Sequence, residues 1–250
     1  MAKPTFSKAS LPARVRQGII AWFRARPSLY VPLRCSMAKD ADGISRALNS
    51  RTDIVIDAFP RSGNSFATVA FQTAQTRKVA VAHHFHAAAS ILYAAQRSIP
   101  ALTFIRNPDD ACVSFALFRR TADLRSVFQE YLAFYELILP VRKKLVVARF
   151  ETVIRDFGTV VHKLNEVYGT DFTPFLHTPE NAASIEAILS KRTTRRFGAD
   201  GLNHGHGETP NAAKNALKSE IATILQDDSI QEVRRKAQAV YRVFADDADV

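Results

Sequence analysis

From residue 53 onward the chain alternates short apolar runs with longer stretches of helical periodicity. Residues 53–58 read as an apolar strand, followed by a turn over 60–63 and a helix from about Asn64. Residues 78–82 form a second strand and 87–96 a helix, then 101–105 a third strand. Asn107 and Pro108 open the next helix as cap and first position. A long helical stretch runs over 122–139 and is stopped by Pro140. Residues 145–150 make a fourth strand and 152–168 a further helix. This order predicts an α/β fold with a mainly parallel sheet flanked by helices on both faces. Ligands of such sheets sit beyond the carboxyl ends of the strands, so candidate chemistry is sought there.

The first fifty residues follow a different pattern. Leu11, Val15, Ile19, Trp22 and Phe23 recur at helical spacing, with Arg14, Arg16 and Arg24 between them. Residues 1–50 are expected to be a basic arm with an amphipathic helix, and 51–250 a single domain. The helix packs on that domain in one reading and makes peripheral membrane contact in the other. Residues 179–207 are polar and basic, with glycine late in the segment, which makes them a candidate lid.

Charge sharpens the asymmetry. The formal net charge is +10, and eight Lys or Arg precede the first acid, Asp40. A balance this basic suits nucleic acid, an anionic membrane or small polyanions. Aromatic residues are not interleaved with the basic ones as stacking platforms would be, so nucleic acid is not expected as a partner. Cys35 and Cys112 lie far apart and offer neither a disulfide framework nor a zinc spacing, which fits a reducing, cytoplasmic location. The N-terminus does not resemble a secretory signal, and no apolar run is long enough to span a bilayer.

Three strand ends carry chemistry. After the first comes Phe59-Pro60-Arg61-Ser62-Gly63-Asn64-Ser65-Phe66, a glycine-containing turn into a helix N-terminus. Unpaired N–H groups and the helix dipole attract an anion there; Arg61 adds fixed charge, and Asn64 and Ser65 add side-chain donors. The triphosphatase pattern Gly-x-x-x-x-Gly-Lys-Ser/Thr is absent. An ordinary strand-to-helix turn is the alternative. After the third strand comes Arg106-Asn107-Pro108-Asp109-Asp110, with Ser114 eight residues beyond Arg106. A strand-end Arg can grip a phosphate bidentately, and Ser114 can add a hydroxyl to the same anion. An acidic helix start with an exposed Ser114 is the plainer reading.

Taken together, the two segments resemble the sulfotransferases that use 3′-phosphoadenosine 5′-phosphosulfate (PAPS), over about residues 53–172. The resemblance implies a P-loop NTPase-like sulfotransferase fold. It implies that Arg61, Ser62, Gly63, Asn64, Ser65 and Phe66 hold the 5′-phosphosulfate, and that Arg106 and Ser114 bind the 3′-phosphate. Arg-Phe-Glu-Thr at 149–152 is similar to the family's Arg-Tyr-Glu-Asp strand end. The chain departs from the cytosolic branch by Arg at 61 and Phe at 66, a form more like the carbohydrate sulfotransferases, and by Phe150 in place of Tyr. The family's C-terminal Arg-Lys-Gly has no clear counterpart; Lys191, Arg192, Arg195 and Arg196 are candidate substitutes.

The second strand ends in His83-His84-Phe85-His86. Sulfuryl transfer to a hydroxyl needs a proton acceptor, and a neutral imidazole serves near pH 7. The family carries its catalytic His just after this strand; laying that segment here puts it at His86, with His84 second and His83 structural. Two alternatives stand beside this. The histidines cap the strand, or His84 and His86 join His204 and His206 around a metal. The transfer chemistry itself requires no metal. PAPS is the expected co-substrate, and the acceptor is a small molecule or carbohydrate, with a sugar or glycolipid hydroxyl favoured by the loop. An ATP-dependent small-molecule kinase and a nucleic-acid-binding module are the rival readings. His162 and His177 carry no assignment.

Overall fold

The computed structural model describes residues 18–20, 22–39, 45–198 and 223–250. Four strands, β1 (Ile54–Ile56), β2 (Val81–His83), β3 (Ala101–Ile105) and β4 (Val146–Arg149), form one parallel sheet in the order β2-β1-β3-β4. The pairing sets Ile54 against Val81, Val55 against Ala101 and Leu102 against Val146. Every residue of β1, β2 and β3 is buried. Continuous apolar runs such as Ile54-Val55-Ile56 are what a sheet covered on both faces requires.

Alternation along the strands then divides the core. On one face Ile54, Ile56, Leu102, Phe104, Val146 and Ala148 meet helices α2 (Asn64–Ala74), α6 (Phe150–Arg155), α7 (Phe157–Tyr168) and α8 (Pro179–Phe197). On the other, Val55, Ile105 and Val147 meet α3 (Ala88–Arg97), α4 (Pro108–Arg119), α5 (Leu124–Ile138) and α9 (Asp228–Asp246). Tyr135 and Tyr131 of α5 are fully buried, and their hydroxyls donate to the carbonyls of Phe104 (2.7 Å) and Arg106 (2.9 Å). Burying an aromatic ring while satisfying its hydroxyl in this way anchors α5 to the end of β3.

The third strand falls where the sequence puts it, and Asn107 caps α4 by accepting from the Asp109 N–H at 3.0 Å. The second strand is displaced: residues 78–82 were the expected span, whereas β2 starts at Val81, where pairing with Ile54 begins. The helix expected over 152–168 is two. Asp156 leaves helical geometry (φ −151°, ψ 70°) and caps α7, accepting from the Thr159 N–H and hydroxyl. The stretch over 122–139 begins at an Asp123 cap and ends at Ile138, with Pro140 inside the 3₁₀ turn Leu139–Lys144 that follows.

Part of the N-terminal arm belongs to the core. Helix α1 (Pro27–Tyr30) runs into a π-helical turn at Val31–Cys35, and Tyr30, Val31, Cys35 and Leu48 are buried with the α3 and α5 side chains. Leu11 and Val15 lie outside the described residues. Of the candidate lid, 179–197 is helix α8, seated on α2 through its buried Ile185 and Leu189, and 199–207 lie outside the described residues. Among the described residues no helix is long and apolar enough to cross a membrane.

Strand order locates the site. From β1 the chain moves outward to β2, then returns past β1 to build β3 and β4 on its other side. The carboxyl ends of β1 and β3 therefore border the point where the winding reverses, the place where sheets of this kind bind ligands.

Candidate functional site

The loop after β1 is fixed from below. Phe59 is buried and meets Phe115 and Tyr131 edge to face, at 5.4 and 5.1 Å. The Asn64 amide donates back to the Phe59 carbonyl at 3.1 Å, closing the loop on itself. Asn64 is 3 % exposed and Ser62 0 %. Both side chains are buried within the loop, and the Asn64 amide gives one N–H to the Phe59 carbonyl. Arg61 and Ser65 of the same loop are half-buried.

Two residues make the turn. Arg61 has φ +67° and Gly63 φ +96° at the N-cap of α2. A Cβ at Gly63 would meet Phe150 Cδ2 at 3.3 Å, so the left-handed backbone and a tight neighbour both demand glycine. Successive N–H groups around such a turn form an anion-binding concavity at a helix N-terminus.

The end of β3 reaches this loop directly. Arg106 donates through Nη1 to the Arg61 carbonyl at 2.6 Å, and its guanidinium lies 4.0 Å from the centre of the Phe150 ring. Its Nε is buried and has no hydrogen-bond partner among the described residues. Burial pulls the Arg106 pKa below its ordinary value, opposed by Asp110 and Glu151. Arg61 in turn donates through Nε to Ser114 Oγ at 3.2 Å, with its guanidinium 5.6 Å from the Phe118 ring. Arg61, Arg106 and Ser114, separated by up to 53 residues in sequence, are thus one connected group. Phe150 serves as the floor for Arg106 and the wall against Gly63.

The end of β2 is bonded to the same loop at two points. His86 Nδ1 lies 2.9 Å from the Ala58 carbonyl, and His84 Nε2 lies 3.1 Å from Ser65 Oγ. His83 Nδ1 and His84 Nδ1 are 2.7 Å apart. His84 and His86 both adopt left-handed backbone, at φ 57° and 50°. That conformation costs a non-glycine residue roughly 1–2 kcal/mol. Arg46 offsets the cost by donating to the carbonyls of His83 (3.2 Å) and His84 (2.8 Å), and buried Asp57 accepts the His86 N–H at 3.0 Å.

Hydrogen-bond logic separates the two histidines. A carbonyl only accepts, so His86 Nδ1 carries the proton and Nε2 keeps its lone pair. Both ring nitrogens of His84 are engaged, one with His83 and one with Ser65. Burial lowers the pKa of His84 well below the usual imidazole value, helped by the neighbouring His83, His86, Arg46 and Arg192. Burial also lowers His86, against the pull of Asp57 and the Ala58 carbonyl. Burial thus biases both rings toward the neutral form. Asp57 itself is raised by burial, while His86, Ser90 and the backbone N–H groups of His86 and Ala87 act to keep it ionised.

Asp57 and Arg46 are absent from the residues picked out by sequence. Asp57 had a signal: it is a carboxylate directly after the apolar run Ile54-Val55-Ile56. Arg46 had none, because 37 residues separate it from the carbonyl it binds. Arg192 of α8, one of the basic candidates, acts electrostatically on His84. No group of three or more His, Cys, Asp or Glu among the described residues is arranged to hold a metal ion, and His204 and His206 lie outside those residues. No protein-family profile matches the chain, and no curated protein does.

Proposed function

We propose that this chain is a PAPS-dependent sulfotransferase of the P-loop NTPase-like fold, acting on an acceptor hydroxyl, in a sugar or glycolipid by preference. One observation carries the reading. Arg61, Arg106 and Ser114 interlock at the ends of β1 and β3, and the His86 ring is bonded through Nδ1 to the Ala58 carbonyl at the start of the same loop. Two fixed guanidiniums at one crevice suit a ligand with two anionic groups, which a 3′-phosphorylated phosphosulfate has. The buried, unpartnered Arg106 Nε fits the same demand for a further acceptor.

In this mechanism the acceptor oxygen attacks sulfur in line, and its proton passes to His86 Nε2. The sulfur–oxygen bond to the 5′-phosphate breaks, and the electron pair leaves on the phosphate oxygen of 3′-phosphoadenosine 5′-phosphate. Charge growing on that oxygen meets Arg61 and the loop N–H groups, whose dipoles are already oriented. The 3′-phosphate, held by Arg106 and Ser114, supplies positioning energy away from the reacting atoms. Nothing in this route calls on a metal.

Thermal stabilisation by 3′-phosphoadenosine 5′-phosphate, compared with ADP, ATP and adenosine 5′-phosphosulfate, tests the reading. The expected result is a shift specific to the 3′-phosphorylated nucleotide that disappears in Arg106→Ala. Equal or greater stabilisation by ATP with Mg²⁺ would assign the crevice to a kinase instead.

A further inference from the structure

Residues 18–39 carry an apolar surface that the core does not use. Ile19 (63 % exposed), Ile20, Trp22 (51 %), Leu29, Leu33 (71 %) and Met37 (87 %) are all exposed within this one stretch. Scattered surface leucines are ordinary, whereas large hydrophobics gathered in one short segment mark a contact surface. Leu29 lies in α1, Leu33 in the π-helical turn and Met37 in the turn just after it, and all three are exposed. Tyr30, Val31 and Cys35 point the other way, into the core, and Phe23 packs edge-on to Tyr30 at 5.3 Å. The segment is anchored by one face and presents the other.

Charge identifies what that face meets. Residues 18–39 contain Arg24, Arg26, Arg34 and Lys39 and no acid. The Arg26 guanidinium lies 3.7 Å from the centre of the Trp22 ring and donates to the Trp22 carbonyl at 2.9 Å, so a cation sits directly beside the exposed indole. Aliphatic side chains, an indole and surrounding cations together are the make-up of an element that lies in a lipid headgroup region. A second copy of the chain would bring like charges together across a symmetric interface, which opposes pairing. A nucleic acid would use the cations and leave the aliphatic side chains in water.

We propose that residues 19–37 dock this protein on an anionic lipid surface. Ile19, Trp22, Leu29, Leu33 and Met37 enter the headgroup–acyl boundary, while Arg26, Arg34 and Lys39 meet lipid phosphates. The buried face of the same segment touches the histidine loop: the Tyr30 hydroxyl donates to the Phe85 carbonyl, between His84 and His86, at 3.5 Å. This surface stands on its own observations and does not depend on the transfer chemistry.

Trp22 is the only tryptophan of the chain, so its fluorescence reports on this face alone. The full-length protein is titrated with phosphatidylcholine vesicles, with and without phosphatidylserine, and binding is read by flotation and by Trp22 emission. A blue shift with co-flotation on the phosphatidylserine vesicles alone is expected. The double substitution Leu33→Glu, Met37→Glu should weaken binding tenfold or more, roughly, by adding charge to a face that must leave water. Arg34→Ala should cost about fivefold. Both variants should keep the wild-type Tm and its response to 3′-phosphoadenosine 5′-phosphate, which separates this test from that of the crevice. Absence of a blue shift with every vesicle overturns the proposal. So does binding that survives the double substitution and is competed away by random duplex DNA, which would indicate a general polyanion surface. A blue shift that rises with protein concentration in the absence of lipid would assign the face to a second copy.

Discussion

Asp57 accepts the backbone N–H of His86 at 3.0 Å through the carboxylate oxygen that also lies 3.7 Å from His86 Nδ1. A carboxylate buried at the end of β1 thereby sets both the path of the histidine loop and the field on its ring. Ser90 donates to the other oxygen at 2.7 Å, so donors occupy both sides of the carboxylate. Asp57→Asn removes the charge and turns an amide N–H₂ toward one of those donors. We expect it to lower stability by about 1–3 kcal/mol. In the transfer reaction kcat should fall and KM for the donor stay near its starting value, with the acid limb of the kcat–pH profile displaced downward. An unaltered pH profile would limit Asp57 to a structural role.

His86 and His84 should separate under substitution. His86→Gln should lower kcat by about 10²–10⁴-fold, the usual scale of general-base catalysis, and leave donor binding intact. His84→Gln should cost much less, because both its ring nitrogens are committed to His83 and Ser65. Single-turnover rates with saturating donor make the comparison directly. Equal losses in the two variants would transfer the base to the His84 chain.

The same burial makes stability depend on pH. His84 stays neutral in the folded protein, while in the unfolded chain it takes a proton near its ordinary value of 6.5. Below that pH the unfolded state binds more protons than the native state, so stability falls as pH drops from about 6.5 toward the depressed native value. Asp57 has the opposite sense: its native pKa is raised, so its share of stability is lost as pH rises above the ordinary 3.8. The His84 share therefore raises the urea midpoint as pH rises from 5 to 7.5, so wild type should gain more over that window than His84→Gln. A slope unchanged by that substitution would show that another group dominates.

Gly63 and Phe150 face each other across the crevice floor, and each has a distinct expected phenotype. Gly63→Ala meets both a left-handed φ and the Phe150 ring, and should destabilise by about 1–2 kcal/mol, measured by urea denaturation. Phe150→Leu removes the ring beneath the Arg106 guanidinium. It should weaken binding of 3′-phosphoadenosine 5′-phosphate by about two- to fivefold, a loss calorimetry can resolve.

The chain's own pattern determined the strands and most of the helices. Continuous apolar runs such as 54–56 suit a sheet covered on both sides, and Asn107-Pro108 carries its capping chemistry within two residues. Gly63 and Arg61 were legible for the same reason, since a turn into a helix N-terminus is a local event. The break at Asp156 was not legible, because helical periodicity continues across it and only the cap geometry reveals two helices. Partnerships over long separations were decided by tertiary structure alone. The strand order brings the ends of β1 and β3 together, and with them Arg61, Arg106 and Ser114. Packing buries Asp57 beneath His86, gives Asn64 to Phe59 and sends Arg46 across to the histidine carbonyls. It also turns Tyr30 inward and leaves Leu33 outward on the same short element. Sequence encodes which residues favour which local conformation; which distant groups then share a crevice depends on how the sheet is wound, and no local preference contains that information.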